Sequence, residues 1–275
     1  MMFRISQLFI YPIKSLGGIA VVSTLVTDRG FQYDRRYMLV DEHNRFMTQR
    51  EYPVMALLRT AIDGNDLLVH HKKSIDLKLR LPLTPVNEGD VTRVEVWEDI
   101  CEAIYVSPLA DDWFSKRIGI FCRLVYMPES SRRLVDNRYA LKNEITSFAD
   151  GYPMLMIGQS SLDDLNSRMQ EALPINRFRP NIVFTGGRPF EEDTMEHFIV
   201  KGIHGYAVKP CARCAITTTD QETGIARKEP LKTLASYRRV NNEVWFGQNV
   251  LTEGTGFISV GDSIEVIKTR AALLV

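Results

Sequence analysis

Cysteine is scarce in this chain of 275 residues, which contains only four, at Cys101, Cys122, Cys211 and Cys214. So few cysteines do not make a disulfide framework, and the first residues lack the apolar core of a signal peptide. No run in the sequence approaches the roughly 18 apolar residues that a membrane-spanning helix requires. These absences predict a cytoplasmic protein that does not enter a membrane.

An excess of either charge is also absent, because 34 basic residues balance 34 acidic ones. A nucleic-acid binder usually has a basic excess, and a protein of anionic membranes usually has a polybasic segment. The balance therefore argues against both kinds of partner. Hydrophobic residues make up 45% of the chain, which is ample for a core, and the length favours about two domains.

The chain lacks internal repeats and the regular strand–helix alternation of a dinucleotide-binding fold. Its first hundred residues are short β-prone runs with turns between them, in the rhythm of a barrel or sandwich. Ser107 and Pro108 are suited to begin a helix. We expect a mixed fold that is mainly β with some α, divided into an amino-terminal β-rich domain at residues 1–120 and a second domain at residues 121–275.

The second half is predicted to be strand-rich as well. Ser160 and Ser161 are suited to cap a helix whose apolar stripe runs from Leu162 to Leu173. The polar, arginine-rich segment 128–148 is either a long loop or a segment ordered by a ligand. Strands are predicted at residues 181–185, 198–203, 206–208 and 215–219, with a final hairpin over residues 257–268.

The motif Cys211-Ala212-Arg213-Cys214 carries the strongest chemical signal, because an arginine precedes a thiol. Three mechanisms compete: a thiol–disulfide couple, half of a zinc site, and one functional thiolate. The other two cysteines are isolated, which argues against zinc, and a β-prone run after the motif argues against a thioredoxin-type couple. Spacing alone leaves the functional thiolate in competition with an inert structural pair.

Iron–sulfur spacing is absent too, so any redox chemistry here would draw electrons from another protein. Several cations and helix-start hydroxyls could form a phosphate or carboxylate pocket if the fold brings them together, although each alone could be a surface group. These candidates are Lys14, Ser15, Arg35, Ser160, Ser161, Arg179 and Asn181.

Taken in order, these motifs resemble the MOSC proteins, named for the molybdenum cofactor sulfurase carboxy-terminal domain, in the group that has an amino-terminal MOSC β-barrel domain. Within that family the sequence is similar to the mitochondrial amidoxime-reducing components and to bacterial reductases of N-hydroxylated bases. The matching segments are residues 11–15, 34–37, 48–50, 161–166, 179–182, 213–218, 223–224 and 227–234.

The resemblance implies that Cys214 ligates molybdenum beside the dithiolene of one molybdopterin, with Arg213 keeping that thiolate ionised and Cys211 as a bystander. It also implies that cations and polar groups hold the anionic pterin and its phosphate. These implied cofactor-binding residues are Lys14, Ser15, Arg35, Ser160, Ser161, Arg179, Asn181 and Arg213.

The activity so implied is the reduction of N-hydroxylated substrates such as hydroxylamines and amidoximes. Electrons would come from a separate ferredoxin, flavodoxin or cytochrome b5-like system, because this chain has no iron–sulfur cluster. It lacks the targeting segment of the mitochondrial forms, which favours a bacterial cytoplasmic protein. The alternative is a molybdenum-cofactor or sulfur carrier in which Cys214 holds a persulfide. A β-barrel binding module without catalysis is a third possibility.

Overall fold

The computed structural model describes residues 2–85 and 90–272, so the predicted turn at residues 87–90 lies almost wholly outside the described residues. Strands account for 44% of the chain and helices for 15%, which confirms the expectation of a mainly β fold with some α. Within the described residues, no helix is both long enough and apolar enough to span a bilayer.

The amino-terminal part contains ten strands and one α-helix among the described residues. The strands are β1 (Phe3–Ile10), β2 (Ile19–Val21), β3 (Ser23–Thr27), β4 (Gly30–Phe31), β5 (Tyr37–Val40), β6 (Leu58–Asp63), β7 (Asp66–His71), β8 (Ser74–Pro82), β9 (Val91–Val96) and β10 (Asp99–Tyr105). A 3-10 helix at Pro53–Leu57 precedes β6, and α1 spans Pro108–Ile118.

The remainder of the described chain contains eleven strands, two α-helices and three 3-10 helices. The strands are β11 (Arg123–Tyr126), β12 (Arg133–Leu134), β13 (Ile145–Thr146), β14 (Met154–Gly158), β15 (Ile182–Thr185), β16 (Met195–Val200), β17 (Ile203–Ala212), β18 (Arg239–Val240), β19 (Glu243–Glu253), β20 (Gly256–Ser259) and β21 (Ser263–Thr269). The helices are α2 (Gln159–Ser167), α3 (Leu231–Ala235) and the 3-10 helices Ile175–Arg177, Glu191–Asp193 and Ala215–Thr218.

Seven strands form a closed barrel in the order β14-β15-β1-β21-β16-β17-β19, and β19 pairs with β14 to complete it. Its pairings are antiparallel apart from the parallel pair β14–β15. All seven strands contribute to one buried apolar cluster, with members such as Leu8, Met156 and Val250. Because β1 pairs with β15 and β21, the first residues of the chain belong to a barrel built mostly from the second half.

A second apolar cluster lies against the helices, where Leu155, Ile157 and Val183 pack with Leu165 of α2 and Leu234 of α3. The side chains of neighbouring strand residues point to opposite faces, so β14 supplies both clusters. The amino-terminal half adds a four-stranded sheet, β5-β11-β10-β9, and a three-stranded sheet, β6-β7-β8. The boundary at residues 120 and 121 stays a prediction.

The start of α1 matches the sequence prediction. The hydroxyl of Ser107 accepts a hydrogen bond from the backbone N–H of Ala110, Pro108 occupies the first turn, and Gly119 ends the helix in the left-handed conformation. The start of α2 does not match, because Gly158 is its N-cap residue and no side chain caps it. Ser160 and Ser161 therefore lie inside the first turn.

The predicted strand at residues 215–219 is wrong. This segment is the 3-10 helix Ala215–Thr218, despite its β-branched residues. The hydroxyl of Thr217 donates to the carbonyl of Cys214 at 3.0 Å, and that of Thr218 donates to the carbonyl of Ala215 at 2.7 Å. Local bonds of this kind offer the backbone an alternative to a sheet, and here they override β-propensity.

The predicted final hairpin is also wrong, because β20 pairs with β3 while β21 pairs with β16 and β1. The turn at Gly261 and Asp262 instead binds β1, with backbone hydrogen bonds to Ile5 in both directions. The longest of the described strands, β19, was not predicted, because Gly247, Gln248 and Asn249 interrupt its apolar pattern. Gln248 is nevertheless fully buried, where its amide donates to Asp193.

Candidate functional site

A cavity lies at one end of the barrel, where β1 and β17 end and β14 and β15 begin. Of the predicted site residues that line it, two lie in the loop after β1, one in the turn before β5, two before β15 and two just after β17. The structure thus brings together seven of the nine predicted site residues. They are Lys14, Ser15, Arg35, Arg179, Asn181, Arg213 and Cys214.

Three of these residues have backbone conformations that residues other than glycine rarely adopt. The φ angles of Ser15, Arg35 and Arg179 are 66°, 49° and 56°, all in the left-handed region. Such a conformation costs about 1 kcal/mol or more for each residue and tends to occur at functional sites. The three turns direct polar groups towards one cavity, which is consistent with a functional role for it.

The aromatic ring of Tyr11 lies between two guanidinium groups. The Cζ atoms of Arg35 and Arg179 are each 4.3 Å from the ring centroid, and burial raises the pKa of Tyr11 to about 12 although the two arginines oppose it. Arg35 also donates to Asp34 at 2.6 Å and to the amide oxygen of Asn181 at 3.0 Å. Contacts within the protein therefore hold the two guanidinium groups in place before any ligand binds.

Lys14 is 4% exposed, and its ammonium donates to the carbonyl of Phe148 at 2.8 Å and to Asp150 at 2.5 Å. Burial lowers the pKa of Lys14 to about 8, even though the nearby Asp150 carboxylate acts to raise it. Lys14 is thus a cation close to neutralisation at mildly alkaline pH. Among the four cations that line the cavity, it is the only lysine.

Two arginines of the cavity have buried N–H groups without a hydrogen-bond acceptor among the described residues. Nη1 of Arg179 donates to the carbonyl of Leu16 at 2.6 Å, but Nη2 has no partner. Nη2 of Arg213 donates to the carbonyl of Phe178 at 2.6 Å, but Nε has none. Burial lowers the pKa of Arg179 to about 10. Buried donors without acceptors are costly, so these groups fit an anionic ligand.

The two cysteines have different neighbours. The resemblance implied that Arg213 keeps the Cys214 thiolate ionised. In the structure, Nη1 of Arg213 instead lies 3.0 Å from Sγ of Cys211. Burial raises the pKa of Cys211, although Arg213 opposes the shift. Cys214 is half-buried just beyond β17, and Nη1 of Arg50 approaches its sulfur to 3.9 Å.

Ser160 and Ser161 do not line the cavity. They lie at the far end of β14, where Ser160 donates to the carbonyl of Arg188 and Ser161 donates to the buried carboxylate of Glu192 at 2.8 Å. A second oxygen of Glu192 accepts the backbone N–H of Gly158 at 3.1 Å. The carboxyl group of Glu192 therefore occupies the start of α2.

Sequence reasoning missed Arg50, Gln49, Trp97 and Asp150 as parts of this region. Gln49 and Arg50 belong to a segment that matched the family, but nothing in the spacing assigned them a role. Trp97 lies in the turn between β9 and β10, where its Nε1 donates to Asp150 at 3.3 Å. These contacts join segments that are far apart in the chain, so no local signal could have revealed them.

Two family models match the chain. The MOSC N-terminal beta barrel domain matches residues 2–120, and the MOSC domain matches residues 143–265. The chain belongs to the MOSC family. The cation-lined cavity contains residues from both matched regions of this MOSC protein, with Lys14, Ser15 and Arg35 from the first and Arg179 and Cys214 from the second.

Characterised MOSC relatives match over most of the chain. Mitochondrial amidoxime-reducing component 1 of Mus musculus is 31% identical over 282 residues, covering 96% of this chain and 82% of the relative. Molybdenum cofactor sulfurase of Oryza sativa is 31% identical over 263 residues, covering 89% of this chain but only 32% of the relative. The crystal structure of the YuaD protein from Bacillus subtilis aligns with 96% of this chain at 10% identity and a TM-score of 0.45, which is too low to support an argument.

Proposed function

We propose that this MOSC protein is a molybdenum-cofactor oxidoreductase that reduces N-hydroxylated compounds with electrons from a separate donor protein. The observation that carries the proposal is the half-buried thiol of Cys214 at a cavity lined by four cations, two of which have buried N–H groups without an acceptor. A soft thiolate suits molybdenum, and the free donors suit an anionic pterin. The relatives named as amidoxime-reducing components support the reaction class.

The residues present fit a molybdopterin. Arg179 and Arg213 would donate to its phosphate or pterin oxygens through the N–H groups that lack acceptors. Lys14 and Arg35 would add positive charge, with Asn181 holding the guanidinium of Arg35 in place. Four lining cations face one lining carboxylate, Asp150, so the cavity favours an anion. The cofactor would be bound through Cys214 on one side and through these cations on the other.

When bound, the cofactor would supply the two-electron chemistry that cleaves an N–O bond. In the overall reaction an amidoxime takes up two electrons and two protons, the N–O bond breaks, and an amidine and water are released. The chain's own residues would position the anion, and Arg213 would keep Cys211 out of the reaction by bonding to its sulfur. The proposed donor is a ferredoxin, flavodoxin or cytochrome b5-like system.

Freshly purified protein tests this proposal. We expect molybdenum and pterin in equal amounts, close to one per chain, and reduction of benzamidoxime to benzamidine when a reduced artificial donor such as methyl viologen is supplied. A protein loaded with cofactor that reduces no N-hydroxylated compound would contradict the proposed reaction. The same protein after removal of the cofactor serves as the control.

A second candidate function is a molybdenum-cofactor or sulfur carrier with a persulfide on Cys214. It is favoured by the sulfurase relatives, whose match spans 89% of this chain, and by the half-buried position of the thiol. The elemental content distinguishes the two functions. Metal-free protein with one cyanide-labile sulfur, lost in Cys214→Ser, supports the carrier, whereas stoichiometric molybdenum and pterin support the reductase.

A further inference from the structure

We propose that Arg50 orients the oxygen of the substrate's N–OH group beside Cys214, and that Trp97 and Gln49 are positioning residues that hold Arg50 there. This inference rests on the proposed reductase function and names a substrate contact for it. Arg50 comes from the amino-terminal half of the chain, yet its Nη1 lies 3.9 Å from the sulfur of Cys214. The cation is therefore beside the sulfur that would bind the cofactor.

Unlike Lys14, Arg35 and Arg213, Arg50 keeps most of its donors free. Lys14 and Arg35 are paired with the carboxylates Asp150 and Asp34, and Arg213 donates to a carbonyl and to Cys211. Within residues 2–85 and 90–272, the guanidinium of Arg50 has a single hydrogen-bond partner, the sulfur of Cys214, and no carboxylate at ion-pair distance. A guanidinium carries five N–H donors in a planar fork, so most remain available to a ligand.

Trp97 packs against this guanidinium. The Cζ atom of Arg50 lies 4.2 Å from the ring of Trp97, a cation–π distance. The indole is held in turn by its hydrogen bond to Asp150 and by the ring of Phe46 at 5.0 Å. Trp97 itself is 40% exposed and has a φ of 59°. A left-handed turn thus presents the ring at the edge of the site and supports Arg50 from outside.

Gln49 fixes the backbone beside Arg50. Its side chain is fully buried, and its Nε2 donates to the carbonyl of Ser15 at 2.6 Å. Gln221, from the segment that follows the 3-10 helix after Cys214, donates back to the amide oxygen of Gln49 at 3.0 Å. One buried amide thus ties Arg50 both to the loop of Ser15 and to the chain that carries the thiol.

The substrate's oxygen is the group that this fork recognises. An N–OH oxygen has lone pairs that accept from a guanidinium, and the bond strengthens as negative charge develops on the leaving oxygen. The amidine product lacks that oxygen and is a cation at neutral pH, so Arg50 repels it. Arg50 therefore favours the substrate over the product, which a lysine, as a mobile point charge, would do less well.

The test compares Arg50→Gln and Arg50→Lys with the control Arg45→Gln, all in cofactor-loaded protein. Arg45 is an exposed arginine five residues away, paired with Glu95. We expect Arg50→Gln to lower kcat/KM for benzamidoxime by about 10- to 100-fold, the usual cost of one charge-assisted hydrogen bond, and to make benzamidine a stronger inhibitor. Arg50→Lys should recover part of the loss, Arg45→Gln should change neither quantity, and molybdenum content should stay the same in all three.

Two further measurements separate positioning from a general structural role. In cofactor-free protein, Arg50→Gln should change the tryptophan fluorescence because it removes the cation stacked on Trp97, and the change should vanish in a Trp97→Phe background. Trp97→Phe should retain more of kcat/KM than Trp97→Leu, because a phenyl ring still supports the guanidinium.

A value of kcat/KM within about two-fold of wild type for loaded Arg50→Gln would overturn the inference, since one lost charge-assisted bond costs more than that. Unchanged inhibition by benzamidine would overturn it as well. Loaded wild-type protein that reduces no N-hydroxylated compound would instead count against the proposed function itself.

Discussion

An anion site is predicted at both ends of β14, but the two ends differ in chemistry. At one end Met154 lines the cation-rich cavity, and at the other Gly158 begins α2, where Ser160 and Ser161 suggested a second anion site. At about 3.3 Å per residue, the ends of this strand lie roughly 13 Å apart. One ligand phosphate therefore cannot contact both, and the structure shows which end has donors to spare.

The two ends differ in whether the hydrogen-bond donors there already have acceptors within the protein. At the α2 end the carboxylate of Glu192 accepts from Ser161 and from the N–H of Gly158. At the cavity end Nη2 of Arg179 and Nε of Arg213 have no acceptor among the described residues. A helix start is an anion site only where no carboxylate of the chain has taken it.

The largest expected effect separates the two cysteines at the cavity end. We expect Cys214→Ser to abolish molybdenum-dependent reduction of an amidoxime, because a hydroxyl is a poor substitute for a soft thiolate ligand. Cys211→Ser should keep most of the activity, since Cys211 is half-buried like Cys214 but its sulfur is bonded to Arg213. Both variants are assayed for activity and for molybdenum content. Equal losses in the two would remove the distinction between the thiols.

The next effect concerns cofactor retention and sets the ends of β14 against each other directly. Arg179→Met should lower the molybdopterin content of purified protein by about 10-fold or more, because a charge-assisted bond to an anion is lost. Its unfolding free energy should change little, since burial already disfavours this cation, as the lowered pKa of Arg179 indicates. Pterin fluorescence after oxidation measures the content, and urea denaturation measures the stability.

Ser161→Ala is the matched variant at the other end. It should leave the pterin content unchanged while lowering the unfolding free energy by about 1 kcal/mol, because the variant removes a buried hydrogen bond to Glu192. Loss of cofactor from Ser161→Ala, with Arg179→Met fully loaded, would reverse our assignment of the two ends.

Seven of the candidates meet at the cavity because each lies near the end of a strand. Arg179 and Asn181 precede β15, and Cys214 follows β17, so the barrel gathers them once it closes. Partners that come from distant parts of the chain were not predictable: Arg50 contacts Cys214 across 164 residues, and Glu192 contacts Ser161 across 31. The 3-10 helix at residues 215–218 was not predictable either, because hydrogen bonds from threonine hydroxyls to the backbone override the strand propensity of this segment.

A smaller effect tests the cavity end through pH. Burial lowers the pKa of Lys14 to about 8, so this residue loses its charge in the folded protein above about pH 8, whereas an unfolded lysine keeps it to about pH 10.5. Between these values the unfolded state holds more protons, so Lys14 makes stability rise with pH. Cofactor retention should fall over the same range, because a cation is lost from the cavity.

Pterin release from wild type and Lys14→Arg, followed on either side of about pH 8, measures this effect. The arginine stays charged throughout, so Lys14→Arg should lose cofactor less steeply than wild type. Parallel release curves for the two proteins would show that Lys14 does not contribute charge to binding.

The last effect lies at the α2 end and concerns stability alone. Burial raises the pKa of Glu192 to about 7, with Asp193 adding to the shift. Between about pH 4.5 and 7 the folded state holds a proton that the unfolded state has released, so stability falls as pH rises through this range.

Glu192→Gln removes the titrating group, keeps an acceptor for the N–H of Gly158 and reverses the bond to Ser161. The fall in unfolding free energy, about 1–3 kcal/mol in wild type, should therefore shrink in urea denaturation of the variant. An equal fall in both proteins would mean that Glu192 is ionised throughout, and α2 would then begin at a permanent carboxylate.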